Sequence, residues 1–252
     1  MNDIEIFSHY TAPKTLLNEK VILVTGAGDG IGKAAALSFA EHGATVILSG
    51  RNLSKLEEVY DEIEKNNHPK AAIFPINFES AQTPDYKALA DAIETEFGRL
   101  DGILHNAAEL GPRTPISQYG HEEWNKVLQV NLTAPYLLTQ SMLNLLSKSA
   151  NASVLFTSTS VARRGRAFWG AYAVSKAGLE NLCQILDDET DGVNQIRFNS
   201  INPGATRTKM RATAYPAEDP STVTEAKTFM NRYLFLLGDD SKEISGQQFE
   251  CQ

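Results

Sequence analysis

The chain has 252 residues, 42% of them apolar and 21% charged, a balance that suits one sizeable α/β domain of a globular protein. A net charge of −8 argues against nucleic-acid binding, which would rest on an excess of Lys and Arg. No apolar run nears bilayer length, the polar start has no basic n-region, and Cys183 and Cys251 suggest neither a disulfide framework nor a metal site, so a cytoplasmic protein without membrane or metal is expected.

Residues 1–19 read as an arm ahead of the first strand. From there, short apolar and β-branched runs recur at 21–24, 44–48, 71–74, 102–104, 153–156 and 196–201. Runs apolar on both faces suit central parallel strands covered by helices on each side. Helical patterns fall over 31–42, 53–66, 83–97, 121–148, 167–190 and 222–237. The stretch 205–221, with Pro216 and Pro220, reads as a loop or lid, and 247–252 as a last strand. The alternation predicts a Rossmann-type doubly wound parallel sheet of about seven strands, helices on both faces, in one domain spanning the chain.

Three segments carry chemistry. The first strand runs into Thr25-Gly26-Ala27-Gly28-Asp29-Gly30-Ile31-Gly32. Glycines there let backbone N–H groups approach a pyrophosphate at a helix N-terminus, the alternative being that they only permit tight strand–helix packing. The second strand ends Leu48-Ser49-Gly50-Arg51-Asn52. An acidic residue at that end would hold a ribose 2′-hydroxyl, whereas an arginine suits a 2′-phosphate, so Arg51 points to NADP(H). Arg51 opening a solvated helix is the plainer alternative, and Asp29 argues mildly against a phosphate nearby. Lastly, Tyr172 and Lys176 lie four residues apart and share a helix face, where an ammonium favours the phenolate and eases proton exchange near neutral pH.

Taken in order, Thr25-Gly26-x3-Gly30-Ile31-Gly32, His105-Asn106-Ala107-Ala108, Asn131, Tyr172-x3-Lys176 and Pro203-Gly204-x3-Thr208 resemble a classical short-chain dehydrogenase/reductase. The likeness runs in register from about Leu17 to the C-terminus, and the segments 156–172 and 202–211 are similar to the YciK-type oxidoreductases. The resemblance implies hydride exchange between NADP(H) and a carbonyl or alcohol, with Tyr172 as general acid/base. Lys176 would tune the tyrosine and hold the nicotinamide ribose, and Asn131 would hold a water linking Lys176 to solvent. A hydroxyl from Ser158, Thr159 or Ser160 would bond the substrate oxygen. Ungapped spacing favours Thr159, but a one-residue shift would bring Ser158 or Ser160 forward.

The cofactor contacts that the resemblance implies are Gly26, Gly28, Asp29, Gly30, Ile31, Gly32, Arg51, Asn52, Asn77, Phe78, Asn106, Ala107, Tyr172, Lys176, Pro203, Gly204, Thr206 and Thr208. Asn77 stands where the family has an aspartate beside the adenine, and Gly50 where NAD enzymes carry an acid. His105 and Ala108 replace the outer residues of an Asn-Asn-Ala-Gly motif, and His105 reads as a packed strand residue. A non-catalytic dinucleotide-binding regulator is the alternative on the same fold, though it would need none of Tyr172, Lys176 and Asn131.

Two further expectations concern partners. The family resemblance implies a homodimer or homotetramer built on the long helices, where Leu179, Leu182 and Leu186 make a stripe suited either to that contact or to the protein's own sheet. Arg163, Arg164, Arg166, Arg207, Lys209 and Arg211 flank the expected cleft and either attract an anionic substrate or make salt bridges.

Overall fold

Residues alternating along each strand feed two apolar layers, and that division organises the molecule. The computed structural model describes Phe7, residues 10–192 and residues 196–252. Seven parallel strands form the central sheet: β1 (Val21–Thr25), β2 (Thr45–Gly50), β3 (Ala72–Pro75), β4 (Gly102–His105), β5 (Ala152–Thr157), β6 (Ile196–Asn202) and, at the edge, a strand at Gln248–Glu250. Their order, beginning β3-β2-β1-β4-β5-β6 and ending with the C-terminal strand, reverses direction between β1 and β4. Crevices for ligands open at such a reversal, outside the carboxyl ends of the strands.

On one face, Ile22, Val24, Val46, Leu48, Leu104 and Leu155 pack with helices α1 (Gly30–Glu41), α2 (Leu53–Lys65) and a late helix at Met230–Leu237. On the other, Leu23, Ile47, Ile103, Val154, Phe156 and Phe198 meet α3 (Thr83–Phe97) and two long helices between β4 and β6. Helix α2 shows how local sequence sets such a layer. Asn52 caps it by accepting from the Lys55 N–H at 3.1 Å, and Leu56, Val59 and Ile63 recur every three or four residues on its buried side.

The helical stretch expected over 121–148 is not uniform. It comprises α4 (His121–Leu128), a π-helical turn at Gln129–Thr133, and α5 (Ala134–Leu146). Pro135 has no N–H to return to the Asn131 carbonyl four residues earlier, so the turn widens there. A single turn, α6 (Ser160–Arg163), follows β5, and α7 (Gly170–Thr190) begins three residues later than its pattern suggests. Phe168 at φ 71° and Gly170 at φ 27° break the backbone ahead of it.

The 205–221 stretch carries structure of its own. A short strand β7 (Thr206–Arg207) pairs with β8 (Thr224–Glu225), and α8 (Lys209–Ala214) lies between them. The helix at Met230–Leu237, now α9, and the edge strand β9 (Gln248–Glu250) complete the chain. Leu179 and Leu186 are buried and Leu182 is packed beside them, so this stripe belongs to the protein's own core. None of the helices among the described residues is long and apolar enough to cross a membrane.

Candidate active site

The carboxyl ends of β1, β2, β4, β5 and β6 surround one cleft of about 550 Å³. At its floor, the glycine loop leaves β1 with Gly26 at φ 67° and Gly30 at φ 53°, conformations that favour glycine. Gly32 serves the close packing of strand and helix. A β-carbon there would sit 2.1 Å from the Gly26 carbonyl, so Gly32 lets helix and strand close on each other and does not line the cleft. Thr25 ties the loop to the next strand end, its hydroxyl accepting the N–H groups of Asn106 at 3.0 Å and Ala107 at 3.1 Å.

Asp29 caps α1 by accepting from the Gly30 N–H. Its carboxylate also meets the ammonium groups of Lys55 and Lys209, and the Lys55 contact foremost holds it below the usual carboxylate range. Asp29 is therefore neutralised by its neighbours, which removes the objection it raised to a phosphate nearby. Arg51 is 65% exposed and reaches Glu109 and Glu79 only at 3.8 and 4.0 Å. Gly28, Gly30, Ile31, Asn52, Asn77, Phe78, Asn106 and Ala107 line the same end of the cleft. The Asn77 side chain accepts from the Glu79 N–H, shaping the turn after β3.

Tyr172 and Lys176 reach the cleft from the first turns of α7, and both are buried. Lys176, 2% exposed, donates to the Thr157 carbonyl at 2.7 Å. Burial lowers its pKa to about 8, partly opposed by Glu180 one turn on. Burial likewise raises Tyr172 to about 12. The phenol is raised by burial and not lowered by the neighbouring ammonium, because desolvation acts against both charged forms.

The three candidate hydroxyls separate. Ser158 is buried, lines the cleft beside Thr159 and donates to Glu180 at 2.6 Å. Thr159 is half-buried and lines the cleft ahead of α6. Ser160 begins α6, is exposed and does not line the cleft. Asn131 is 1% exposed at the π turn. Its side chain accepts from the Glu109 N–H at 2.7 Å and donates to the Glu109 carbonyl at 2.9 Å and Ser175 at 3.1 Å. These bonds fasten the loop after β4 to α7, and Asn131 itself stands behind the lining.

Pro203, Gly204, Thr206 and Thr208 close the far side. Thr208 caps α8 and stands over Gly30, where an added β-carbon would come within 3.1 Å of its methyl. His105 lies in the sheet, its ring stacked on Phe156 at 4.8 Å and its Nε2 within 2.8 Å of the Thr139 hydroxyl. Burial holds its pKa at about 3, so it remains neutral at pH 7.

Sequence reasoning overlooked Lys55 and the walls beside Tyr172: Leu110, Trp169, Met210, Ala214 and Tyr215. Spacing held part of the signal, since Lys55 follows Arg51, and Tyr215 follows Arg211, by four residues. The basic residues expected to attract an anion are mostly matched. Arg163 meets Glu250 and Glu180, Arg207 meets Glu225, Lys209 meets Asp29, and Arg211 makes two 2.6 Å bonds to Glu218. Arg164 and Arg166 are exposed and do not line the cleft.

Comparison with known proteins agrees with this geometry. The short chain dehydrogenase family profile matches residues 20–219. The uncharacterized oxidoreductase YciK of Escherichia coli strain K12 is 46% identical over 244 residues, 97% of this chain and 96% of its own. A solved Pseudomonas syringae short chain dehydrogenase is 51% identical with a TM-score of 0.95, over 96% of this chain and 98% of that one. An Escherichia coli CFT073 short chain dehydrogenase solved with NADPH is 46% identical with a TM-score of 0.93, over 96% and 100% of the two chains. Sheet order, glycine loop and sequence match agree over most of the chain, which belongs to the short-chain dehydrogenase/reductase family of oxidoreductases, beside its YciK-like members.

Proposed function

We propose that the protein is an NADP(H)-dependent oxidoreductase interconverting a carbonyl and an alcohol, with Tyr172 as general acid/base. The observation that carries this reading is the buried Tyr172–Lys176 turn in a cleft that also holds the glycine loop and Arg51. The residues fit a dinucleotide: the glycine loop leaves room for a pyrophosphate, Gly50 presents no carboxylate, and Arg51 is loosely engaged. The NADPH bound by the Escherichia coli relative supports the same choice.

When bound, the dinucleotide supplies or accepts the hydride. Tyr172 Oη holds the proton that the substrate oxygen gains or loses, and burial keeps the phenol protonated at neutral pH, as reduction requires. Thr159 offers a hydroxyl to the same oxygen and stabilises charge developing there. Lys176, anchored on the Thr157 carbonyl, places a cation beneath the site, and Asn131 holds the β4 loop and α7 in register. The two buried free cysteines suit a reducing cytoplasm, and exposed Tyr136, Val174 and Ile185 on the long helices suit a homo-oligomer.

Tyr172→Phe tests the reading. Turnover of the best carbonyl found falls ~10²–10⁴-fold while the NADPH dissociation constant, from fluorescence titration, changes little. Near-normal turnover in the variant would overturn the assignment.

A further inference from the structure

The part of the cleft beside Tyr172 has a chemical character of its own. Leu110, Trp169, Met210, Ala214 and Tyr215 wall it, brought together from the segments that follow β4, β5 and β6. Trp169 lies 5.7 Å from the Tyr172 ring and 6.1 Å from Tyr215, centre to centre, so three aromatic rings form one surface that includes the phenol.

The cations near this wall are engaged with it or with carboxylates. Arg113 places its guanidinium 4.1 Å over the Trp169 ring and 5.5 Å from Tyr215, and donates to the Ala214 carbonyl at 2.9 Å. Arg113 does not line the cleft; it fastens the β4 loop to Trp169 and Ala214. Arg211 does line the cleft, but it stacks on Tyr215 at 3.8 Å and is held by the two bonds to Glu218. A substrate carboxylate would have to displace Glu218, losing two charge-assisted bonds to gain its own, and would lose hydration against an apolar wall.

A neutral ring meets no such opposition. Its faces pack on the indole and the phenols, which hold the ring by its apolar surface and leave its carbonyl free to turn toward Tyr172 Oη and Thr159. We infer that the substrate is a neutral carbonyl compound, or the matching alcohol, whose reacting carbon is in or next to a ring that packs on Trp169 and Tyr215. This rests on the oxidoreductase reading above and adds the substrate class to it.

Three ketones separate the features: acetophenone is neutral with a ring, benzoylformate adds a carboxylate to that ring, and 2-butanone is neutral without one. With NADPH, kcat/KM for acetophenone is expected to exceed that for 2-butanone about tenfold, the size of one aromatic contact, and that for benzoylformate about tenfold because the carboxylate loses hydration against the wall. Trp169→Ala reduces the acetophenone-to-butanone ratio about tenfold, chiefly through KM, and Trp169→Phe restores part of it. Benzoylformate or butanone turned over as well as acetophenone, or a ratio insensitive to Trp169→Ala, would overturn the inference.

Calorimetric binding of 1-phenylethanol and mandelate to the protein saturated with NADPH, a pairing that cannot exchange hydride, reads the charge preference without turnover. Binding of the neutral alcohol about tenfold tighter than the acid supports a site for neutral substrates, and equal or absent binding overturns it. A Trp169-dependent acetophenone preference and tighter binding of the neutral alcohol, together with undiminished turnover in Tyr172→Phe, would leave the substrate class standing and remove the proposed mechanism.

Discussion

At the scale of single residues, charge placement matters more than charge count. Asp29 sits inside the glycine loop, where Lys55 from α2 and Lys209 from α8 both meet its carboxylate. With Arg51 at the end of β2, the rim offers cations that a 2′-phosphate can share. Arg51→Ala is expected to weaken NADPH about 10–100-fold, the value of one or two charge-assisted contacts, and NADH far less. Lys55→Ala should act in the same direction, about tenfold. Parallel fluorescence titrations with both dinucleotides read the outcome, and equal losses for NADPH and NADH would place these side chains outside the phosphate site. The sequence suggested Arg51 through its place after a strand. It did not suggest Lys55, whose approach to Asp29 depends on how α2 packs beside the glycine loop.

Among elements, the join between β4 and α5 has a consequence for pH. His105 is buried between the Phe156 ring and the Thr139 hydroxyl, and burial depresses its pKa to about 3 from the ordinary value of about 6.5. A depressed folded-state pKa means that the unfolded chain binds the extra proton first. The stability that neutral His105 permits is therefore complete above about pH 6.5 and is lost as pH falls toward 3. Relative to His105→Gln, the wild-type protein should lose about 2–3 kcal/mol more unfolding free energy between pH 6.5 and 4.5, one proton over two pH units. Urea unfolding at the two pH values measures this, and identical losses would show that His105 does not carry the proton linkage. The sequence marked this residue as a packed strand histidine. Its partners lie on another strand and on a helix 34 residues away, and only packing could name them.

At the scale of the whole molecule, the helices flanking the sheet leave a second surface unpartnered. Leu179 and Leu186 point into the core, while Tyr136, Val174 and Ile185 stay exposed on α5 and α7. Those exposed apolar side chains are where a second copy would pack. Light scattering at micromolar concentration should give a multiple of 27.6 kDa, and the double variant Val174→Asp, Ile185→Asp should reduce it to one chain. A monomeric wild-type protein at that concentration would remove the assembly.

Much of the architecture was legible because strands buried on both faces must be apolar throughout, and helices covering them must repeat every three or four residues. Those constraints are local, and from them followed the parallel sheet, the glycine loop after β1 and the Tyr172–Lys176 turn. Folding alone gave the neighbouring hydroxyls Ser158, Thr159 and Ser160 different settings, because Ser158 and Thr159 line the cleft, Ser158 bonded to Glu180, while α6 carries Ser160 outward. It also paired Arg163, Arg207, Lys209 and Arg211 with carboxylates, and set Trp169, Met210 and Tyr215 beside Tyr172. Such matches depend on distances between loops that lie far apart in the chain, and residue type and local spacing carry no record of those distances.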